Sequence, residues 1–250
     1  MEVESHLAAL RREGALFAAV AGRTDFAAAV PSCPEWCMRD LVRHLSGVHR
    51  WATMCVERRL GEPPSLAEEE ACFSGPPSDA GLIEWFRAGH AALVQALESA
   101  PADLACWSFL PAPSPLAFWA RRQAHETAIH RADLECASGT ITPFPPDFAA
   151  DGIDKLLLGF ASRPGGRLRS DTLQTLSLRA TDVGRAWLVC ILPDAVEVRL
   201  QTSAADCMVH AVASDLHLLL WNRRPYRGLE VQGDTALLDL WRETVRIRWS

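Results

Sequence analysis

The eight residues "TITPFPPD" at positions 140–147 constrain this fold more than any other stretch, because three of them are proline. Each proline removes a backbone donor and locks φ, so neither a continuing helix nor a central strand can run through the segment. The chain must therefore be built in two parts, and its character changes across the break. We predict domains over residues 1–140 and 141–250.

Upstream of the break, apolar residues recur at helical spacing. Leu7, Leu10, Phe17 and Val20 mark a helix from Val3 to about Val20. A second helix, from about Cys37 to Arg59, carries the widest apolar stripe of the chain through Met38, Leu41, Val42, Leu45, Val48, Ala52, Cys55 and Val56. The flanking stretches "AVPSCPEWC" and "GEPPSLAEEEACFSGPPS" read as interruptions without regular structure. A third helix covers about Asp79 to Glu98. The fourth opens on Ser114, whose hydroxyl suits an N-cap, with Pro115 at the first helical position and Gly139 placed to end it. Four helices of about 18 to 25 residues fit a helical bundle.

Downstream, a short helix over about Phe148 to Phe160 leads to "TLQTLSLRAT", "AWLVCIL", "AVEVRL" and "ADCMVHA", short alternating or β-branched runs that read as strands. "SDLHLLLWNRR" returns to helix with Ser214 or Asp215 as its cap, "LEVQGD" reads as a further strand, and "TALLDLWRETVRI" as a closing helix. The predicted fold class is α+β: a four-helix bundle followed by a small mixed α/β domain.

Composition narrows the function classes. The 250 residues are 49% hydrophobic, enough to build one large core or two ordinary ones. A net charge of -6 provides no general basic field, so a nucleic-acid partner is not expected. The first twenty residues carry acids where an export signal wants basic groups, and no run approaches the ~20 apolar residues of a membrane span. We expect a cytoplasmic protein with no membrane partner. Eight cysteines without a C-x-x-C pair spell out neither a disulfide framework nor a zinc ribbon.

Candidate chemistry concentrates in "WARRQAHETAIHRADLECASG", from Trp119 to Gly139. On a helix, Glu126 and His130 lie about 40° apart, with Arg122 and Asp133 on the same face. Two readings are open for that face. It is either a row of ion pairs in water, or a carboxylate and an imidazole converging on one divalent cation. A cation needs a further ligand, and His44 is the candidate, because it interrupts the apolar line of Leu41, Val48 and Trp51 and so faces the bundle interior or its edge. The plainer fate of His44 is a core histidine bonded to a backbone carbonyl or a carboxylate. His49, about 140° from His44, is set aside, and His125, about 100° from Glu126, reads as structural or exposed. Cys37 reads as a small residue near a helix cap rather than a nucleophile. Neither a Gly-rich phosphate loop nor a G-x-S-x-G elbow occurs.

Taken together, three segments resemble one family. "VPSCPEWCMRDLVRHLSGVHRW", "WARRQAHETAIHRADLECASG", and the stretch from "TDVGRAWLV" through "ASDLHLLLWNRRPYRGLEVQGDTALLDLW" are similar, in order, to segments of the mycothiol-dependent maleylpyruvate isomerases. The resemblance implies a DinB-like metal-binding bundle at the N-terminus and a smaller C-terminal domain. It implies a divalent metal, usually zinc, held by His44, Glu126 and His130. It also implies mycothiol as the thiol cosubstrate, a small carboxylate substrate, and a substrate-binding arginine matched by Arg223, with Arg224 adjacent. The chain departs from the family at Cys37, where Thr or Ser is usual. Two other functions stay open: an S-transferase with the same metal and thiol, and a noncatalytic zinc-containing binding module, which would need a fourth protein ligand, Asp133 being the one in view.

Overall fold

The computed structural model describes residues 1–76, 78–137 and 139–246. The chain divides into two compact units, Met1–Thr142 and Pro143–Ser250. The break falls inside the proline-dense segment, where the backbone can extend neither a helix nor a ladder.

Four long helices build the first unit: α1 (Val3–Ala21), α2 (Met38–Glu57), α4 (Leu82–Ser99) and α5 (Pro115–Cys136). Helix α1 lies along α5 and α2 along α4, and α2 also packs on α5. The apolar stripes predicted for α1 and α2 are buried except at half-buried Val20, with Phe17, Leu41, Val42, Leu45 and Phe86 forming a common core. Helix α5 starts as its sequence indicates. Ser114 Oγ accepts the Ala117 N–H at 3.1 Å, and Pro115 fills the first turn. Past its end, Gly139 adopts φ +76°, a conformation that favours glycine, and its N–H bonds to Cys136 O at 3.2 Å.

Two stretches read as irregular are in fact ordered. "AVPSCPEWC" forms a small antiparallel hairpin of β1 (Ala29–Val30) and β2 (Cys33–Cys37). Within "GEPPSLAEEEACFSGPPS" lies α3 (Leu66–Phe73), opened by a capping box in which Ser65 and Glu68 bond reciprocally. That S-x-x-E signal was legible at residues 65–68.

In the second unit, α6 (Pro146–Leu156) continues into a single π-helical turn at Leu157–Ala161. A five-stranded sheet follows in the order β5 (Val196–Arg199), β4 (Arg185–Ile191), β3 (Gln174–Ala180), β6 (Cys207–Ala211), β7 (Glu230–Gly233). Its pairings are antiparallel except for β3 with β6, where Leu176 faces Cys207 in a parallel ladder. Asp154 of α6 ties to β4 through Trp187 Nε1 at 2.7 Å and Arg185 at 2.6 Å. Helix α7 (Ala213–Leu220) is preceded by Val212, not by a Ser214 or Asp215 cap. Ser214 is instead buried inside the helix, and its hydroxyl accepts the Phe144 N–H at 2.9 Å. The closing helix α8 spans Ala236–Thr244, and the last residue predicted for it, Ile247, lies outside the described residues. Among the described residues, no helix is long and apolar enough to cross a membrane.

The helical unit contains a buried ionic clasp. Arg131 on α5 is fully buried and donates to Glu13 of α1 at 2.9 Å, to Glu135 at 2.5 Å, and to the Thr142 carbonyl at 2.7 Å. Removing one partner of such a pair leaves a charge uncompensated in a low-dielectric interior. Glu13→Ala should therefore destabilise the protein by about 3–5 kcal/mol. Removing the exposed partner in Glu84→Ala, which breaks the ion pair to Arg87, should cost less than about 1 kcal/mol. Urea unfolding midpoints of the two variants check the contrast.

Candidate metal centre

Helices α2 and α5 bring three donors together. The ligand atoms of His44, Glu126 and His130 all lie within 4.8 Å of one another. His130 Nε2 stands 3.4 Å and His44 Nε2 3.8 Å from Glu126 Oε1, and the two imidazole rings have centroids 5.0 Å apart. The charged face of α5 is not a wet flank, since every residue from Arg122 to Glu135 is buried.

The surrounding groups divide the work of holding the cluster. Glu126 uses Oε2 for the Arg122 guanidinium, while Oε1 is buried without a hydrogen-bond partner and faces the two imidazoles. A buried carboxylate oxygen left in that state is costly unless something positive meets it. Asp133 takes His130 Nδ1 at 2.9 Å and accepts the Ser32 hydroxyl of the β1–β2 turn at 2.5 Å. With Nδ1 bonded to Asp133, Nε2 is the nitrogen directed at Glu126 Oε1, where it can hold a proton or, once that proton leaves, a cation. The donor set therefore fits a divalent cation: two imidazole nitrogens and one carboxylate oxygen at separations that bonds of ~2 Å can span.

Electrostatics agree with the geometry. Burial raises the Glu126 carboxyl, but the Arg122 charge and the two imidazoles outweigh it and hold the group well below the usual carboxylate range. Burial likewise opposes charge on His130, yet Asp133 and Glu126 push its pKa up to about 9. His44 is lowered, chiefly by burial. A proton and a cation compete for the same lone pairs in such a site.

The remaining residues singled out by sequence fall elsewhere. His49 is fully buried and bonds Thr127 Oγ1 at 2.9 Å; since that hydroxyl donates to Gln123 O, His49 Nε2 is the donor. His125 is buried, which removes the exposed alternative. Cys37 donates its thiol to Asp40 at 3.0 Å at the start of α2, and this bond, followed by that from the Cys37 N–H, holds Asp40 below its ordinary range. Arg223 belongs to the second unit, half-buried, with Nη1 donating to Trp221 O at 2.6 Å. Arg224 pairs with Asp215. Sequence reasoning missed Ser32, which reaches Asp133 only because the hairpin folds over α5.

Fold and site together define a class: chains whose N-terminal helical domain carries a His–Glu–His donor set and whose C-terminal domain is a small mixed sheet. Residues 7–135 match the family described as mycothiol maleylpyruvate isomerase N-terminal domain, and residues 147–240 match the MDMPI C-terminal domain. The chain belongs to the mycothiol maleylpyruvate isomerase family. Among solved structures it is similar to the mycothiol-dependent maleylpyruvate isomerase, with a TM-score of 0.62 and 16% identity over 93% of each chain. A histidine-to-alanine mutant of that enzyme gives 0.63 and 14%, again over 93% of both. At these identities the likeness speaks for the fold. No curated protein matches the sequence.

Two expected outcomes follow from this geometry. Asp133→Asn should keep the cluster but weaken divalent-metal affinity by about 10- to 100-fold, measured by chelator competition. Burial, with His90 adding to it, holds His49 well below the ordinary 6.5, so the unfolded chain takes up the proton first as pH falls. The stability this residue contributes is present above that pH and lost below it. His49→Gln, which keeps a donor for Thr127, should shrink the drop in Tm between about pH 7.5 and about pH 5.5, followed by thermal melts.

Proposed function

We propose that this protein is a thiol-dependent cis–trans isomerase that uses mycothiol and a divalent metal, zinc by its donor set, to convert maleylpyruvate or a close analogue. One observation carries the reading: Glu126 Oε1, buried and unbonded, faces two imidazole nitrogens within 4.8 Å. Family membership indicates the reaction and the thiol.

His44, Glu126 and His130 would hold the cation. A divalent cation held there would supply a charge that favours thiolate over thiol near neutrality. Asp133 keeps the His130 ring in its ligating tautomer through Nδ1, and Arg122 keeps Glu126 ionised and oriented. Mycothiol would supply a thiolate whose reversible addition to the cis double bond lets the carbon chain turn to the trans acid. The thiol is regenerated. Arg223 is assigned to the substrate carboxylate, which a guanidinium can hold through two parallel bonds. Arg224, the adjacent alternative, pairs with Asp215.

The arrangement bears on the alternatives. A noncatalytic zinc module would need Asp133 as a fourth ligand, but both its oxygens are bonded to His130 and Ser32. An S-transferase would use the same residues and consume the thiol. We place the protein in the cytoplasm, in keeping with eight free cysteines, with no nucleic-acid or membrane partner.

The test measures bound metal and follows maleylpyruvate absorbance with and without mycothiol. Turnover should require both, with mycothiol unconsumed, and His130→Ala should lose the metal and at least about 100-fold in rate. A metal-free His130→Ala protein of full activity would sink the mechanism, and stoichiometric loss of thiol would reassign the protein as a transferase.

A further inference from the structure

His44 lies at the more accessible edge of the cluster. Its side chain is 15% exposed, against 2% for Glu126 and 11% for His130. His44 is thus the most open of the three donors. Two aromatic rings from separate elements border it. Trp36 of β2 has its ring centroid 4.9 Å from that of His44, and Phe73, the last residue of α3, lies at 6.2 Å. Both residues are half-buried.

The two rings are held differently. Trp36 packs against the apolar core of the helical unit. Phe73 is seated over Gly47, one turn beyond His44 on the same face of α2. A Cβ at position 47 would lie 2.2 Å from Phe73 Cδ1 and 2.5 Å from Cε1, so any side chain there drives the ring away. Glycine in mid-helix weakens the helix relative to alanine. Its presence in α2 is explained by the room it gives Phe73.

Resting on the isomerase reading above, we propose that Trp36 and Phe73 are specificity-determining residues whose rings receive the flat, unsaturated carbon chain of the substrate, with Gly47 keeping Phe73 in place. Aromatic faces favour planar π systems over staggered methylene chains, and an uncharged ring does nothing for carboxylates. The pair therefore selects by the shape of the carbon chain between the acid groups.

The experiment is calorimetric binding of maleate and succinate, equal in charge and carbon count, to the metal-loaded full-length protein without thiol. The wild type should bind maleate at least about fivefold more tightly than succinate. Gly47→Ala and Phe73→Ala should each bring that ratio within about twofold while bound metal stays near wild type, and Phe73→Tyr should retain it. No binding, equal binding of the two acids by the wild type, or a ratio that survives both variants overturns the proposal. A wild type that distinguishes the two acids but does not isomerise maleylpyruvate refutes the isomerase reading and leaves the aromatic wall standing. Isomerisation without discrimination refutes only the wall.

Discussion

An ionised carboxylate taken out of water must find positive partners, or it will be protonated or expelled. Glu126, 2% exposed in the middle of α5, is that group here. Arg122, one turn before it, satisfies one oxygen, and the imidazoles of His44 and His130 converge on the other. Everything else near the site answers the same demand. Asp133 supports His130, Ser32 supports Asp133, and the hairpin that supplies Ser32 closes over the end of the cluster.

Holding those groups in register falls to the packing of α5 among its neighbours. Arg131 reaches the opposite way from the cluster, to Glu13 on α1 and to Thr142 at the end of the unit. His49 joins α2 to α5 through Thr127, five residues along α2 from His44. A shift of α5 by even part of a turn would break both contacts as well as the donor set, and densely packed interiors resist such intermediate positions. The rigidity of the donor cluster is thus provided by residues outside it.

The departure at Cys37 has a local explanation. A thiol can donate as a hydroxyl does, only more weakly, and the contact to Asp40 keeps the first turn of α2 closed. His44 lies nearly two turns further on, so the change at the cap leaves the donor set untouched.

Much of this was legible in the sequence. The prolines at 143, 145 and 146 marked the break, Ser114 and Pro115 opened α5, and angular spacing placed Glu126, His130 and Asp133 on one face, because a helix is a local and periodic object. Sequence also singled out His44, as a polar interruption of an apolar stripe. Spacing could not say whether the charged face of α5 met water or protein, since ion pairs on a surface and ligands in a core share one pattern. The tertiary structure decided that by burying residues 122–135 and bringing α2 alongside. It alone supplied Ser32 from a hairpin, Phe73 over Gly47, and the parallel pairing of β3 with β6. Each of those contacts joins residues distant in the chain or in irregular stretches, where no period relates one side chain to the next, and only the packing of whole elements brings them together.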